Sequence, residues 1–134
     1  MFRRLLIGLV FVLGFAGSAQ ADDAAIRDVI ASQVDAFQRD DFEEAFTYAS
    51  PMIQGVFGSP ARFGQMVQQG YPMIYRPTGL SFGGLQERGG RTFQNVFFQD
   101  ARGRGHVAEY EMIEQGGTWL INGVRLVDGG GLAA

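Results

Sequence analysis

The sequence predicts an α+β fold, in which N-terminal helices pack on one face of a four-stranded antiparallel sheet. Apolar residues recur with helical spacing as far as Gly70, which predicts the helices. After Pro77 the pattern changes to β-forming residues separated by glycine pairs, which predicts a series of hairpins. The chain has 134 residues, a length that suits one domain with its own hydrophobic core.

The N-terminal segment has the features of a signal peptide. Arg3 and Arg4 precede an apolar run that ends at Phe15, and residues 19–21 form the cleavage tripeptide Ala-Gln-Ala. We therefore expect residues 1–21 to be removed and the protein to be periplasmic or secreted. The apolar run is shorter than the roughly 20 residues that span a bilayer, so we expect no membrane attachment after cleavage. The sequence contains no cysteine, which excludes disulfides and lipidated cysteine anchors.

Charge narrows the classes of partner. All of the basic residues are arginine, and the formal net charge is −3. Cleavage of the signal peptide removes Arg3 and Arg4 and lowers this charge to −5. Nucleic acids and anionic lipids attract positive surfaces, so we expect the mature protein to bind neither. The mature chain is predicted to be a single α+β domain over residues 22–128, followed by a flexible tail at 129–134.

Three helices are predicted before Gly70. The first carries apolar residues on one face over 26–37, and Gln33 is the polar exception on that face. Asp41 begins the second helix, with Glu44 completing a capping box. A serine followed by proline begins the third helix at Ser59. The pattern of residues 51–58 leaves a loop and a short helical turn open.

Four strands are predicted after Pro77. Gly89-Gly90 and Gly116-Gly117 are typical of two-residue hairpin turns, and a longer turn is expected from Asp100 to Gly103. The predicted strands are 79–88, 91–100, 104–115 and 118–127.

The pairing of these strands determines which side chains face the helices. If the middle turn has an even number of residues, the apolar residues fall on a single inner face. The predicted inner-face residues are Leu80, Phe82, Phe93, Phe97, Ala108, Tyr110, Met112, Trp119 and Ile121. This register also places Gly84, Asn95, Tyr110 and Gly123 in one row across the sheet.

Three segments carry a resemblance to a known family: the helical segment IRDVIASQVDAFQRDDFEEAFTYASP, the helix SPARFGQMV and the strand GGTWLINGVRLV. They resemble domain of unknown function 4864, a family of small exported bacterial proteins, within the nuclear-transport-factor-2-like superfamily, also called cystatin-like or SnoaL-like. The resemblance extends from Ala24 to Val127. It implies a cone, in which a curved sheet wraps the first helix and leaves a pocket between them. It implies no activity, because the superfamily includes isomerases, dehydratases, cyclases and binding or dimerisation modules.

The candidate ligand-binding residues are Gln33, Asn95, Tyr110 and Trp119. The register makes Asn95 and Tyr110 neighbours on the apolar inner face, and Gln33 faces the same space from the first helix. An apolar cavity with a few convergent polar groups is the usual form of a small-molecule site. The alternative is that the glycines of this row only bend the sheet, and that the polar groups hydrogen-bond locally.

Two functions remain open at this point. The first is a non-enzymatic module that binds a small apolar or amphipathic molecule in the pocket, or that dimerises. The second is a pocket enzyme of the isomerase, dehydratase or cyclase type, in which His106 or Tyr110 transfers a proton. We favour the first and assign no catalytic residue, because no carboxylate base is predicted in the pocket and none clearly faces His106.

No metal site and no cofactor are expected. The sequence has one histidine, no cysteine and no spaced acidic loop, so the usual zinc and calcium ligand sets are missing. The arginine and glycine residues at 102–105 do not precede a helix, so they lack the amides of a phosphate-binding loop.

The outer sheet face is predicted to form a homodimer. Five apolar residues share the parity opposite to the inner face: Val96, Phe98, Val107, Ile113 and Leu120. Glu109 and Glu111 lie among them, which suggests a solvated face or a mixed interface rather than acid–base chemistry. Exposed apolar patches of this kind often bind a partner.

Overall fold

The computed structural model describes residues 18–127. The C-terminal tail and all of the predicted signal peptide before Ser18 lie outside the described residues. The helices are α1 (Ser18–Gln38), α2 (Phe42–Thr47), α3 (Pro51–Phe57), α4 (Pro60–Gly70) and α5 (Pro72–Tyr75). The strands are β1 (Gly79–Arg88), β2 (Arg91–Gln99), β3 (Gly105–Gln115) and β4 (Thr118–Val127). The α+β class is therefore confirmed, with the helices preceding an open antiparallel sheet of order β1-β2-β3-β4.

Side-chain caps fix the helix ends. Asp41 accepts a hydrogen bond from the backbone amide of Glu44, and Ser59 accepts one from Arg62, so both predicted caps are confirmed. Ser50 caps α3 in the same way, and Pro51 occupies its first turn. The segment that the sequence left open is therefore a helix.

The predicted hairpins are also confirmed. Both residues of Gly89-Gly90 and of Gly116-Gly117 have positive φ, the backbone conformation that a two-residue hairpin turn of this type requires. Arg88 pairs with Arg91, and Met112 pairs with Ile121, as two-residue turns at the glycine pairs require.

The predicted orientation of β2 is wrong. Gln99 pairs with Gly105, so the middle turn contains residues 100–104 and has an odd number of residues. Asp100 determines this length, because its Oδ1 atom accepts hydrogen bonds from the backbone amides of Arg102 and Arg104. The odd turn reverses every β2 side chain relative to the prediction.

The reversal exchanges the inner and outer residues of β2. Val96 and Phe98 are buried in the core, whereas Phe93 and Phe97 lie on the outer face. Phe97 is 44% exposed. The rest of the predicted inner face is correct: Ala108, Tyr110, Met112 and Ile121 are buried, and Leu80, Phe82 and Trp119 pack against them.

Two irregularities break the predicted row of glycines. A bulge between Phe82 and Leu85 contains the Gly83-Gly84 pair, and Phe82 pairs with Val96. A second shift in register, at Asn122, pairs Tyr110 with Val124 and Glu111 with Gly123. A Cβ atom on Gly123 would lie 3.8 Å from the Glu111 carboxylate, on the outer face. The side-chain position of Gly123 therefore points to the outer face, and Gly123 is not in one row with Tyr110 as predicted.

The core lies between α1 and the sheet. Ile26, Ile30, Val34 and Phe37 of α1 are buried, which confirms the predicted apolar face. The helical layer is joined to β4 by backbone hydrogen bonds, in which the Ile121 amide donates to Tyr48 and the Ile121 carbonyl accepts from Ser50. Among the residues that the structure describes, no helix is long and apolar enough to cross a membrane.

Candidate functional site

A cavity of about 220 Å³ lies between the helices and the sheet. Most of the side chains that line it are apolar, and none carries a formal charge. The lining residues from α1 to α3 are Gln33, Phe37, Ala49, Ile53 and Phe57; those from α4 and α5 are Phe63, Met66, Val67, Tyr71 and Ile74; those from the sheet are Tyr110, Ile121, Gly123 and Val124.

Tyr110 lies in the sheet wall of this cavity. It is in the centre of β3, between Gln94 on β2 and Val124 on β4, and it is fully buried. Among the described residues, its hydroxyl group is the buried side-chain polar group that has no hydrogen-bond partner. Burial, and to a lesser extent the nearby Tyr71 phenol, raises the pKa of Tyr110 far above its usual value. The group is therefore a neutral phenol in the folded chain.

Gln33 lies in the opposite wall, on α1. It is 3% exposed, and its Nε2 atom donates a hydrogen bond to the carbonyl oxygen of Ala45 at 3.1 Å. This bond connects α1 to α2. The structure thus brings Gln33 and Tyr110 to the same cavity, although their role in ligand binding stays a prediction.

Asn95 is not in the cavity, and its predicted placement beside Tyr110 is wrong. It pairs with Glu109 on the outer face, because the middle turn has the odd length described above. Gln94 takes its place beside Tyr110 and is 1% exposed. The Nε2 atom of Gln94 donates to the carbonyl oxygens of Gly83 at 2.8 Å and Asn95 at 2.9 Å. The polar residue beside Tyr110 was therefore missed through the parity of one turn.

Trp119 lies on the inner face, as predicted, but it does not line the cavity. It pairs with Glu114 near the β3–β4 hairpin and is half-buried against the core.

The short helix α5 contributes Ile74 to the cavity wall and is held against the end of α1. The Tyr75 hydroxyl and the Arg76 guanidinium both donate to Asp40, the latter at 3.0 Å. Arg76 also donates to the carbonyl oxygen of Phe37 at 2.6 Å. The hydrogen bond from Tyr75, and then the charge of Arg76, hold the pKa of Asp40 below its usual value. These contacts fix the position of the wall that α5 provides.

The sequence profile of a family described as Domain of unknown function (DUF4864) matches residues 19–134. The chain belongs to this family. No match is found among curated proteins or among solved structures.

In this DUF4864 domain, His106 has the carboxylate partner that the sequence did not reveal. Its Nε2 atom lies 2.9 Å from Oδ2 of Asp100, in the turn between β2 and β3. The hydrogen bond from His106, followed by those from the Arg104 and Arg102 amides, lowers the pKa of Asp100 to about 2. Neither residue lines the cavity. The pair therefore stabilises the middle turn, away from the cavity.

The low pKa of Asp100 predicts a pH dependence of stability. The pKa of Asp100 is about 2 in the folded domain, against 3.8 for an unperturbed aspartate. The ionised carboxylate therefore stabilises the fold fully above pH 3.8, and this contribution is lost as the pH falls towards 2. We expect Asp100→Asn to be less stable than wild type at pH 6 and the difference to shrink below pH 3.8. Urea midpoints measured across this range test it, with the exposed Asp28→Asn as control. If lowering the pH reduced the urea midpoints of wild type and Asp100→Asn equally, the result would contradict the assignment.

On the outer face of the DUF4864 domain, Glu109 is held by two arginines. Its Oε1 atom accepts from Arg88 at 2.7 Å and from Arg125 at 3.3 Å, and its side chain is only 8% exposed. The Arg88 guanidinium lies 4.2 Å from the centre of the Phe93 ring. The hydrogen bond from Arg88 is the main cause of the lowered pKa of Glu109. Glu109 is thus part of an ion-pair network and not a solvated carboxylate, which was one of the two alternatives that the sequence left open.

The apolar residues of the outer face differ from the predicted set. Val96 and Phe98 are buried inside, whereas Phe97 and Val127 are exposed on the outer face. The pairs Phe97–Val107 and Val107–Val127 place three of these residues in one row. The homodimer stays a prediction, with Phe97 in the place of Phe98. Within residues 18–127 there is no group of three or more acidic or histidine side chains that could hold a metal ion.

Proposed function

We propose that this protein is a non-enzymatic binding module, exported by its N-terminal segment, that holds a small apolar or amphipathic molecule between α1 and the sheet. The observation that carries the proposal is the cavity of about 220 Å³, whose lining is apolar apart from a few polar groups. Ligand sites of small molecules have this composition. An apolar cavity of roughly 150 Å³ accepts benzene, so the volume suits a larger ring system.

The resemblance to the nuclear-transport-factor-2-like superfamily supports the same proposal. We infer a cone in which the sheet curves around α1, and two features are consistent with curvature. The β1 bulge at Gly83-Gly84 and the register shift at Asn122 both lie in edge strands, where they bend a sheet. A sheet that curves around α1 would leave space on its helix-facing side, the side on which the cavity lies.

Proton transfer has less support as the function. A general base has to lie within hydrogen-bond reach of the substrate, and the cavity lining contains no carboxylate and no histidine. Tyr110 is a neutral phenol whose pKa is raised by burial, which makes it a poor base at neutral pH. His106 is paired with Asp100 outside the lining.

A cavity-filling variant tests the proposal. Val124 pairs with Tyr110 on the adjacent strand, faces the helices and lines the cavity. It is only partly buried, so a larger side chain can be accommodated. We expect Val124→Phe to abolish ligand retention because the ring occupies the ligand's space. The measurement is native mass spectrometry of wild type and variant isolated from the protein's own cells.

The matched control is Val107→Phe, the same change on the outer face of the adjacent strand. Wild type and Val107→Phe are expected to carry the same additional mass, and Val124→Phe is expected to carry none. The absence of any additional mass on wild type, or its retention by Val124→Phe, would count against the proposed site.

A further inference from the structure

The hydroxyl group of Tyr110 is buried without a partner among the described residues. A buried hydroxyl without a hydrogen bond is unfavourable, and in folded proteins such groups are usually satisfied by protein, water or ligand. Tyr110 lines the cavity, which can accept another molecule.

Two glutamine side chains near Tyr110 use their amide nitrogen atoms elsewhere, and neither bonds to its hydroxyl. Gln94, its partner on β2, donates to the Gly83 and Asn95 carbonyl oxygens. Gln33, across the cavity, donates to the Ala45 carbonyl oxygen. Val124, its partner on β4, has no polar side chain. Because no described protein group bonds to the buried Tyr110 hydroxyl, a molecule in the cavity can provide its partner.

On the basis of the proposed function, we infer that the ligand is a neutral molecule of about the size of two fused aromatic rings, with a hydroxyl or carbonyl group that hydrogen-bonds to the Tyr110 hydroxyl. The size follows from the cavity of about 220 Å³, against roughly 150 Å³ for one that accepts benzene. The polar group follows from the buried Tyr110 hydroxyl, which has no partner among the described residues.

The ligand is neutral because the cavity has nothing to balance a charge. No arginine, aspartate or glutamate lines it. Moving an ion from water into an apolar site without a partner costs more than a cavity of this size can return. Tyr110 itself stays protonated, because burial raises its pKa, so it can donate a hydrogen bond to a carbonyl or exchange one with a hydroxyl.

The hydroxyl is buried, so a ligand reaches it through a rotamer change in the wall. Met66 is suited to such a rotamer change. It lines the cavity, is half-buried and has an unbranched side chain that adapts to irregular space.

Three probes with one ring system test the size, the hydrogen bond and the neutrality of the inferred ligand. They are naphthalene, 1-naphthol and 1-naphthoate. Their dissociation constants are measured by titration calorimetry at pH 7 on wild type and on Tyr110→Phe, which removes only the hydroxyl. We expect 1-naphthol to bind wild type and to lose about ten-fold in affinity in Tyr110→Phe. Naphthalene is expected to change less than two-fold, and its binding verifies that the variant is folded. 1-Naphthoate is expected to bind wild type at least ten-fold more weakly than 1-naphthol.

The ligand-free proteins provide a second readout. Since the hydroxyl is unsatisfied without ligand, Tyr110→Phe is expected to raise the urea midpoint, whereas a hydroxyl already bonded within the protein would make the variant less stable. A lower midpoint, or an equal loss of naphthalene and 1-naphthol binding, overturns the inference and leaves the cavity as a ligand site. Failure of naphthalene and 1-naphthol to bind wild type overturns the proposed function together with the inference.

Discussion

Replacing Phe98 by alanine is expected to lower the free energy of unfolding by about 3–5 kcal/mol, the usual cost of deleting a large buried aromatic side chain. Phe98 is 2% exposed, and its ring centre lies 6.4 Å from that of Tyr110 in the core. Its removal leaves a cavity between β2 and the helices, because the surrounding rings cannot collapse fully into the space. Urea unfolding followed by circular dichroism measures the change.

The neighbouring Phe97 is the matched control. It has the same side chain one residue earlier in β2, but it is 44% exposed on the outer face. Phe97→Ala is expected to cost about 1 kcal/mol or less, because much of its surface is in contact with water already. The opposite ranking would restore the even middle turn that the sequence pattern suggests, and it would reverse the inner and outer faces of β2.

The boundaries of the elements were predictable because they depend on local chemistry. A serine or aspartate cap before a helix, and a pair of glycines between two strands, act within four residues. Asp41, Ser59 and both glycine pairs lie where the sequence predicts them. The extra helix α3 follows the same rule, since Ser50 and Pro51 stand at its start.

The register was only partly predictable, because it depends on the number of residues in a turn. Phe93, Phe97 and Phe98 give β2 apolar residues on both faces, so the hydrophobic pattern does not decide its parity. The deciding interaction is made by Asp100, whose carboxylate bonds to two amides of the turn and to His106. No alternation of apolar and polar residues reports such an interaction.

The sequence indicates two of the residues that line the cavity, and it misplaces a third candidate. Gln33 and Tyr110 are polar residues at positions where the pattern requires apolar ones, and both line the cavity. The predicted placement of Asn95 was wrong because the predicted register of β2 was wrong. The wall formed by Ile53, Tyr71 and Ile74 could not be predicted, because the placement of α3 to α5 depends on contacts with distant parts of the chain. One such contact is the one between Asp40 and Arg76.

Ser50→Ala is expected to lower the free energy of unfolding by about 2 kcal/mol. Ser50 is fully buried, and its hydroxyl has two roles. It accepts a hydrogen bond from the Ile53 amide at the start of α3, and it donates one to Oδ1 of Asn122 on β4 at 2.8 Å. Loss of a serine cap costs about 1 kcal/mol, and the unpaired Asn122 oxygen adds a similar amount.

Ser59→Ala separates the two roles, because Ser59 caps α4 through the Arg62 amide in the same way. It is expected to cost about 1 kcal/mol, the cap alone. Asn122→Ala in the Ser50→Ala background should then add less than it does in wild type, since the two side chains share one hydrogen bond. Equal costs for Ser50→Ala and Ser59→Ala in urea unfolding would mean that the bond to Asn122 contributes nothing.

The predicted difference matters for the cavity, since Ala49 and Ile53, which flank this contact in the chain, both line it. The bond from Ser50 to β4 therefore holds the helical wall against the sheet wall.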